Sequence, residues 1–214
     1  MTASTAIVFV IDDDASVRKS LKRLLDAARY TVELFTSASE FLAHSAHDGP
    51  SCVVVDVRMP ELNGIDFQKA LIEGRREEQL VFITAHGDIP MCAKAMKAGA
   101  VDFLRKPFKP KQLLESIERA LTRSAEQRRR ASAKTHARDL IERLTPREHE
   151  VMQLVATGML NKQVGGELGM AEKTVKTHRA HLMQKLGITS VAELMVILQK
   201  AEVTPIIRSE TKVS

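Results

Sequence analysis

The sequence predicts an α/β unit built on a five-stranded, parallel, doubly wound sheet, joined by a helical linker to an all-α unit of four helices. Three observations carry this prediction. Short β-branched runs alternate with helix-period segments through residue 106. The first, third and fourth runs are apolar at nearly every position, as in strands covered on both faces. Beyond Leu144 helix signals continue and strand candidates stop.

The predicted strands are Ala6 to Ile11, Thr31 to Phe35, Cys52 to Val57, Leu80 to Ala85 and Val101 to Lys106. Between them Val17, Leu21, Leu24, Leu25 and Ala28 recur at helical spacing, as do Phe41 and Leu42, Ile65 to Ile72, and Ala93 to Ala98 before Gly99. Leu113, Leu114, Ile117 and Leu121 open a further helix after Pro110. It runs into Thr122 to Asp139, whose only apolar residues are alanines. A helix polar all round bridges domains through solvent, and Thr122 to Arg143 would span about 33 Å at the helical rise. The triplet Arg128, Arg129, Arg130 fits a solvated face better than a DNA contact.

Thr145, Pro146 and Glu148 have the form of an N-cap, a first-turn proline and a capping-box carboxylate. They open a helix with Val151, Leu154 and Val155 on its apolar side and Gly158 at its end. Asn161 is predicted to cap a short helix ending at Gly169. Ala171 to Leu186 is a third helix, ended by Gly187, and Ser190 caps a fourth that carries Leu194, Val196, Ile197 and Leu198. Two short helices joined by Leu168-Gly169-Met170-Ala171 read as a helix-turn-helix. The predicted partition is therefore 1–121, a linker 122–143, a helical domain 144–205 and a frayed tail 206–214.

Composition limits the function classes. A chain of 214 residues with 44% hydrophobic and 28% charged residues buries real cores, which excludes a disordered tail or a fibre. The net charge of +5 is uneven: residues 1–120 carry 16 basic and 17 acidic side chains, residues 121–214 carry 16 and 10. A basic second part points to nucleic acid or another polyanion, beside the alternative of a merely soluble surface. Seven of its basic residues lie in the linker, however, so the charge sum alone does not locate a reading surface. Cys52 and Cys92 form no C-x-x-C pair and read as reduced core thiols. No apolar run reaches the roughly 18 residues of a membrane helix, and Ala6 to Ile11 leads into three aspartates instead of a cleavage site. The expectation is a cytoplasmic protein with no membrane partner.

Parallel sheets place function beyond the carboxyl ends of their strands. Here those ends carry Asp12 and Asp13, Asp56, Thr84, and Lys106 followed by Pro107. Three converging carboxylates repel one another unless a hard cation sits among them, and such a site with waters is the oxygen environment Mg²⁺ prefers. A lysine and a hydroxyl beside it provide the point charge and the donor a phosphoryl group needs. Asp56 then has two possible roles, metal ligand and nucleophile. The competing reading is structural: Asp12 to Asp14 cap the next helix and Lys106 pairs with one of them.

Val10-Ile11-Asp12-Asp13-Asp14, Val54-Val55-Asp56-Val57-Arg58-Met59-Pro60 with Gly64, Thr84-Ala85, and Phe103-Leu104-Arg105-Lys106-Pro107-Phe108 resemble the receiver domain of two-component response regulators. The resemblance implies a flavodoxin-like fold in which Asp56 accepts phosphate from a sensor histidine kinase. It further implies Mg²⁺ held by Asp13, Asp56 and the backbone carbonyl of Arg58, with Asp12 assisting through water. Lys106 and Thr84 would grip the phosphoryl group, Phe103 would move with Thr84 as the switch residue, and the Lys106-Pro107 bond would be cis. The stretch Ile83 to Met91 with Ala95 to Ala100 resembles the FixJ branch, which implies a homodimer on phosphorylation through the faces around Ala93 to Val101. Met91, Met96 and Val101 serve equally well as core packing.

In a helix-turn-helix the second helix enters the major groove while flanking donors hold phosphates. Lys173, Lys176, Thr177 and Ala180 recur at three- and four-residue steps and can share an outward face, opposite Val175, Leu182 and Leu186. Leu144-Thr145-Pro146-Arg147-Glu148, Asn161-Lys162-Gln163, Thr174-Val175-Lys176-Thr177-His178-Arg179 and Lys185-Leu186-Gly187 resemble the LuxR/NarL-type DNA-binding domain. By that resemblance Lys176 and Thr177 read bases, and Lys162, Lys173, Thr174, His178 and Arg179 mostly position the DNA backbone. His178 and His181 share a face but have no third ligand near them for zinc. Two departures stand out. Gly165 beside Gly166 implies either a weak scaffold helix or very close packing of the recognition helix. Ala180 stands where some relatives have a lysine.

The reading is a phosphorylation-controlled transcription regulator of the FixJ/NarL type, an activator working with RNA polymerase, and not an enzyme. A Mg²⁺-dependent phosphohydrolase is the rival from another class. It lacks an obvious substrate pocket and leaves the helix-turn-helix without purpose. A phosphate-independent interaction module is a third reading, against which the full set Asp12, Asp13, Asp56, Thr84 and Lys106 argues.

Overall fold

The structure, a computed structural model, describes residues 5–85 and 89–205. His86, Gly87 and Asp88 of the FixJ-like stretch, and the tail 206–214, lie outside the described residues. The chain divides into two compact units, residues 1–128 and 129–214.

In the first unit, strands β1 (Ile7–Ile11), β2 (Thr31–Phe35), β3 (Ser51–Asp56), β4 (Gln79–Thr84) and β5 (Asp102–Arg105) alternate with helices α1 (Ala15–Ala27), α2 (Ala38–Ala43), α3 (Gly64–Glu73) and α4 (Ile89–Lys97). The sheet order is β2-β1-β3-β4-β5 and every pairing is parallel. This is the flavodoxin-like order, with its switch point between β1 and β3. Predicted and observed strands agree within a residue at each end. Lys106 lies just past β5, with its N–H still donating to the Thr84 carbonyl at 2.7 Å.

Alternation along the buried strands builds two cores. Phe9, Ile11, Val53, Val55 and Phe82 pack with Phe41, Phe67, Leu71 and Ala95 of α2, α3 and α4. The intervening residues Val8, Val10, Cys52, Val54, Val81 and Ile83 pack with Leu21 and Leu25 of α1 and with Leu113, Ile117 and Ala120 of the next helix. Each large side chain so buried contributes roughly 1.5–3 kcal/mol of transfer free energy. Met91 and Val101 join these cores, whereas Met96 is 42% exposed and is not a core residue.

Helix α5 (Pro110–Glu142) is one continuous helix through the predicted linker. The linker does not stand polar all round in solvent. In the first unit the buried Ser124 hydroxyl accepts the Ser51 N–H at 3.0 Å, and Gln79 donates to Gln127 at 3.1 Å. Arg128 pairs with Asp48 at 2.5 Å and Glu77 at 3.6 Å, so one member of the arginine triplet is an anchor. In the second unit Ala137 and Ile141 are buried in the helical core, and Lys134 pairs with Glu202.

The second unit holds α6 (Pro146–Ala156), α7 (Asn161–Leu168), α8 (Glu172–Leu186) and α9 (Val191–Ala201) around Val151, Met152, Val155, Val164, Val175, Leu182, Leu186, Leu194 and Leu198. The predicted capping box is present: Thr145 Oγ1 accepts from Glu148 N at 3.3 Å, and the Glu148 carboxylate accepts from Thr145 N at 2.8 Å. Ser190 caps α9 as predicted, accepting from Glu193 N at 3.2 Å. Asn161 is not the cap of α7. Leu160 holds that position and Asn161 is the first helical residue; the free Leu160 N–H is taken instead by the Gln163 side chain at 2.8 Å. Val196 is 47% exposed, so the apolar stripe of α9 is narrower than predicted.

Candidate functional site

The candidate site at the sheet edge forms where β1, β3 and β4 end and β5 turns. Asp12 follows β1 and is 1% exposed; Asp56 ends β3 and is 7% exposed; Thr84 ends β4 and is fully buried. Lys106 reaches across, its Nζ donating to Asp12 Oδ2 at 2.9 Å and to Asp56 Oδ1 at 2.8 Å. The other oxygens are bound too: Asp12 Oδ1 accepts the Asp14 N–H at 2.9 Å and Asp56 Oδ2 the Arg58 N–H at 2.6 Å. The Lys106-Pro107 bond is cis. Gly64 allows the loop after β3 to fold back, because a Cβ there would lie 2.9 Å from the Asp56 carbonyl oxygen.

Burial pushes the Asp12 carboxyl above the ordinary carboxylate range, and the Lys106 and Asp14 contacts offset this only in part. Burial also works against the Lys106 ammonium, but its hydrogen bonds to Asp56 and Asp12 outweigh that cost and its pKa is raised. The site thus holds a permanent cation against two buried carboxyl groups. Asp13 is exposed, and its carbonyl, like that of Asp12, accepts from the Arg18 guanidinium of α1 at 2.9 and 2.6 Å. Arg18 went unrecognised in the sequence, where it reads as one more surface arginine of an amphipathic helix. Phe103 sits on β5, half-buried, its ring 6.0 Å from Phe82.

Among the described residues no three His, Cys, Asp or Glu side chains converge as a ready-made metal cage. Mg²⁺ does not need one: it binds through one or two carboxylates and keeps several waters. An exposed Asp13, and an Asp56 whose two oxygens are held by the Lys106 ammonium and the Arg58 N–H, supply carboxylate oxygens of the kind that chemistry uses. The structure therefore brings Asp12, Asp56, Thr84 and Lys106 together, with Asp13 at the rim.

In the second unit α7 and α8 form the helix-turn-helix. Lys162, Lys173, Thr174, Lys176 and Thr177 are exposed, while His178 and Arg179 are half-buried. Arg179 donates to Asn161 at 3.1 Å and so ties α8 to the start of α7. Of the two packing readings for the glycine pair, close approach holds at Gly165: a Cβ there would lie 2.7 Å from the Met170 carbonyl oxygen. Glu148, almost fully buried, receives the Lys185 ammonium at 2.7 Å and joins α6 to α8. The sequence shows both partners, but 37 positions apart, with nothing to pair them.

Residues 8–118 match the response regulator receiver domain, and residues 142–198 match the bacterial regulatory proteins of the luxR family. The chain belongs to the response regulators. The regulator is 47% identical to Nodulation protein W of Bradyrhizobium diazoefficiens over 90% of its length and 86% of that protein's. It is 39% identical to the response regulator protein TodT of Pseudomonas putida over 94% and 88% of the two chains. Among solved structures, that of the response regulator StyR matches with a TM-score of 0.84 and 47% identity, covering 92% of this chain and all of that one. The regulator thus couples a receiver to a LuxR-type DNA-binding domain, the makeup of transcriptional regulators. Among the described residues no single helix is long and apolar enough to cross a membrane.

Proposed function

We propose that Asp56 accepts a phosphoryl group from a sensor histidine kinase and that this modification drives homodimerisation, promoter binding and activation of transcription with RNA polymerase in the cytoplasm. One observation carries the reading: the Lys106 ammonium bridges Asp12 and Asp56 at the carboxyl edge of the sheet in a chain that also carries a helix-turn-helix. Asp13, Asp56 and the Arg58 carbonyl, with Asp12 assisting, would hold Mg²⁺, which would supply charge neutralisation for the phosphoryl group.

The chain's own residues do the rest. An Asp56 oxygen attacks phosphorus, the P–N bond of the donor phosphohistidine breaks, and its electron pair returns to the imidazole. Lys106, already 2.8 Å from Asp56, moves its contact to a phosphoryl oxygen, and the Thr84 hydroxyl donates to another. Each charge-assisted hydrogen bond contributes about 1.5–3 kcal/mol. Reversing a two-state population from 1:99 to 99:1 takes about 5.5 kcal/mol, so two such contacts approach a full switch. Phe103 shares a core with Phe82 and reports the Thr84 movement on β5. In the second unit, Lys176 and Thr177 read bases, and Lys162, Lys173, Thr174, His178 and Arg179 hold the backbone.

Asp56→Asn should abolish Mg²⁺-dependent labelling by acetyl phosphate. Labelling of that variant at the wild-type rate would move the acceptor elsewhere.

A further inference from the structure

The recognition helix presents two kinds of chemistry side by side, and the structure assigns a base preference to one of them. Lys173 and Lys176 are exposed and, among the described residues, stand in no ion pair. Next to them the Thr177 hydroxyl donates to the Lys173 carbonyl at 3.1 Å, four residues back in the same helix. That bond uses the only proton the hydroxyl has. On this exposed residue the methyl is then the substituent with no hydrogen-bonding role. One turn on, Ala180 is exposed and offers a second methyl.

Resting on the DNA-binding reading above, we infer that Thr177 and Ala180 form a donor-free apolar patch that selects thymine by its C5-methyl group, beside the base edge read by Lys176. The major groove displays that methyl for thymine alone among the four bases, and apolar side chains are its natural partner. A lysine at 180 would instead favour guanine, whose O6 and N7 accept hydrogen bonds. The preference of this face therefore rests on the methyl at 180 and on the hydroxyl at 177 being bonded to its own helix.

The test uses the full-length, acetyl-phosphate-treated protein. Sites are selected from random duplexes and measured by fluorescence anisotropy, with single thymines replaced by deoxyuridine, which removes only the methyl. Wild-type protein should lose about fourfold in affinity at one or two thymines per half-site, the value of one apolar carbon. Thr177→Val keeps the methyl and should retain this discrimination, and Thr177→Ser keeps the hydroxyl and should lose it at one position. Ala180→Lys should shift the preference at the neighbouring position to guanine. Discrimination that survives in the serine variant and disappears in the valine variant would show a hydroxyl contact to the base and overturn the inference. Selective binding indifferent to deoxyuridine would overturn it too, with DNA recognition intact. Loss of all sequence selectivity would overturn both this inference and the DNA-binding reading on which it rests.

Discussion

Gly165 and Gly166 stand together in α7, yet substitution should divide them. Alanine at 165 would place a Cβ 2.7 Å from backbone oxygen that cannot swing aside, whereas nothing lies within 4 Å of the same atom at 166. Gly165→Ala should therefore destabilise the helical unit, and Gly166→Ala should stabilise it by up to about 1 kcal/mol through helix propensity. Thermal melts of the two variants check this; equal shifts would refute the close approach. Glu148 supplies a pH prediction. Burial disfavours its charge, but Lys185 and the Thr145 hydrogen bonds prevail and hold its pKa at about 2. A depressed folded-state pKa adds stability that is fully present above the ordinary carboxylate range and fades as pH falls toward about 2. Glu148→Gln should flatten the acid-side decline in stability, followed by denaturant titration between pH 6 and 3, and should lower stability near neutrality by about 1–3 kcal/mol. Of this pair of features the sequence showed the capping box, because its partners are three residues apart. It hid the Lys185 contact, which only folding creates.

Among the elements, α5 departs furthest from what its pattern announced. The stretch from Thr122 to Asp139 offers only alanines as apolar residues, so it carries no stripe by which a buried side could be recognised. Its attachment runs through polar atoms instead. Ser124 satisfies the N–H of Ser51, at the start of a fully buried strand, and both residues are buried. Ser124→Ala should leave that N–H unpaired at a cost of about 1–3 kcal/mol, despite alanine's better helix propensity. Urea denaturation of the full chain measures it, and unchanged stability would mean that the hydroxyl is dispensable. The strands show the opposite case. Period and β-branching located them within a residue because burial on both faces leaves an unambiguous apolar run. The start of α7 was misplaced at Asn161 because a polar residue before a helix resembles a cap; here the cap position is Leu160, which has no side-chain acceptor, and Gln163 accepts only the Leu160 N–H.

For the whole molecule, two-site binding makes the connection between receiver and DNA testable. A single helix-turn-helix module buries roughly 600–1,000 Å² on DNA, so useful specificity needs two half-sites about one helical turn apart. Acetyl phosphate should raise both the dimer fraction and the affinity for such a paired site, the latter on the order of 10²-fold. Moving one half-site by half a turn should remove the gain; gel shifts showing equal affinity with and without phosphodonor would count against the coupling. The sequence by itself determined the order of elements and which residues stand at the strand ends, because strand period, helix caps and strand-terminal residues are local features of the chain. Tertiary structure alone decided the rest: that Lys106 spans Asp12 and Asp56, that Arg18 holds the carbonyls beside them, that α5 is anchored by Ser124 and Arg128, and that Lys185 neutralises Glu148. Those contacts join residues on separate elements, and their energies depend on burial and distance, which no sequence interval encodes.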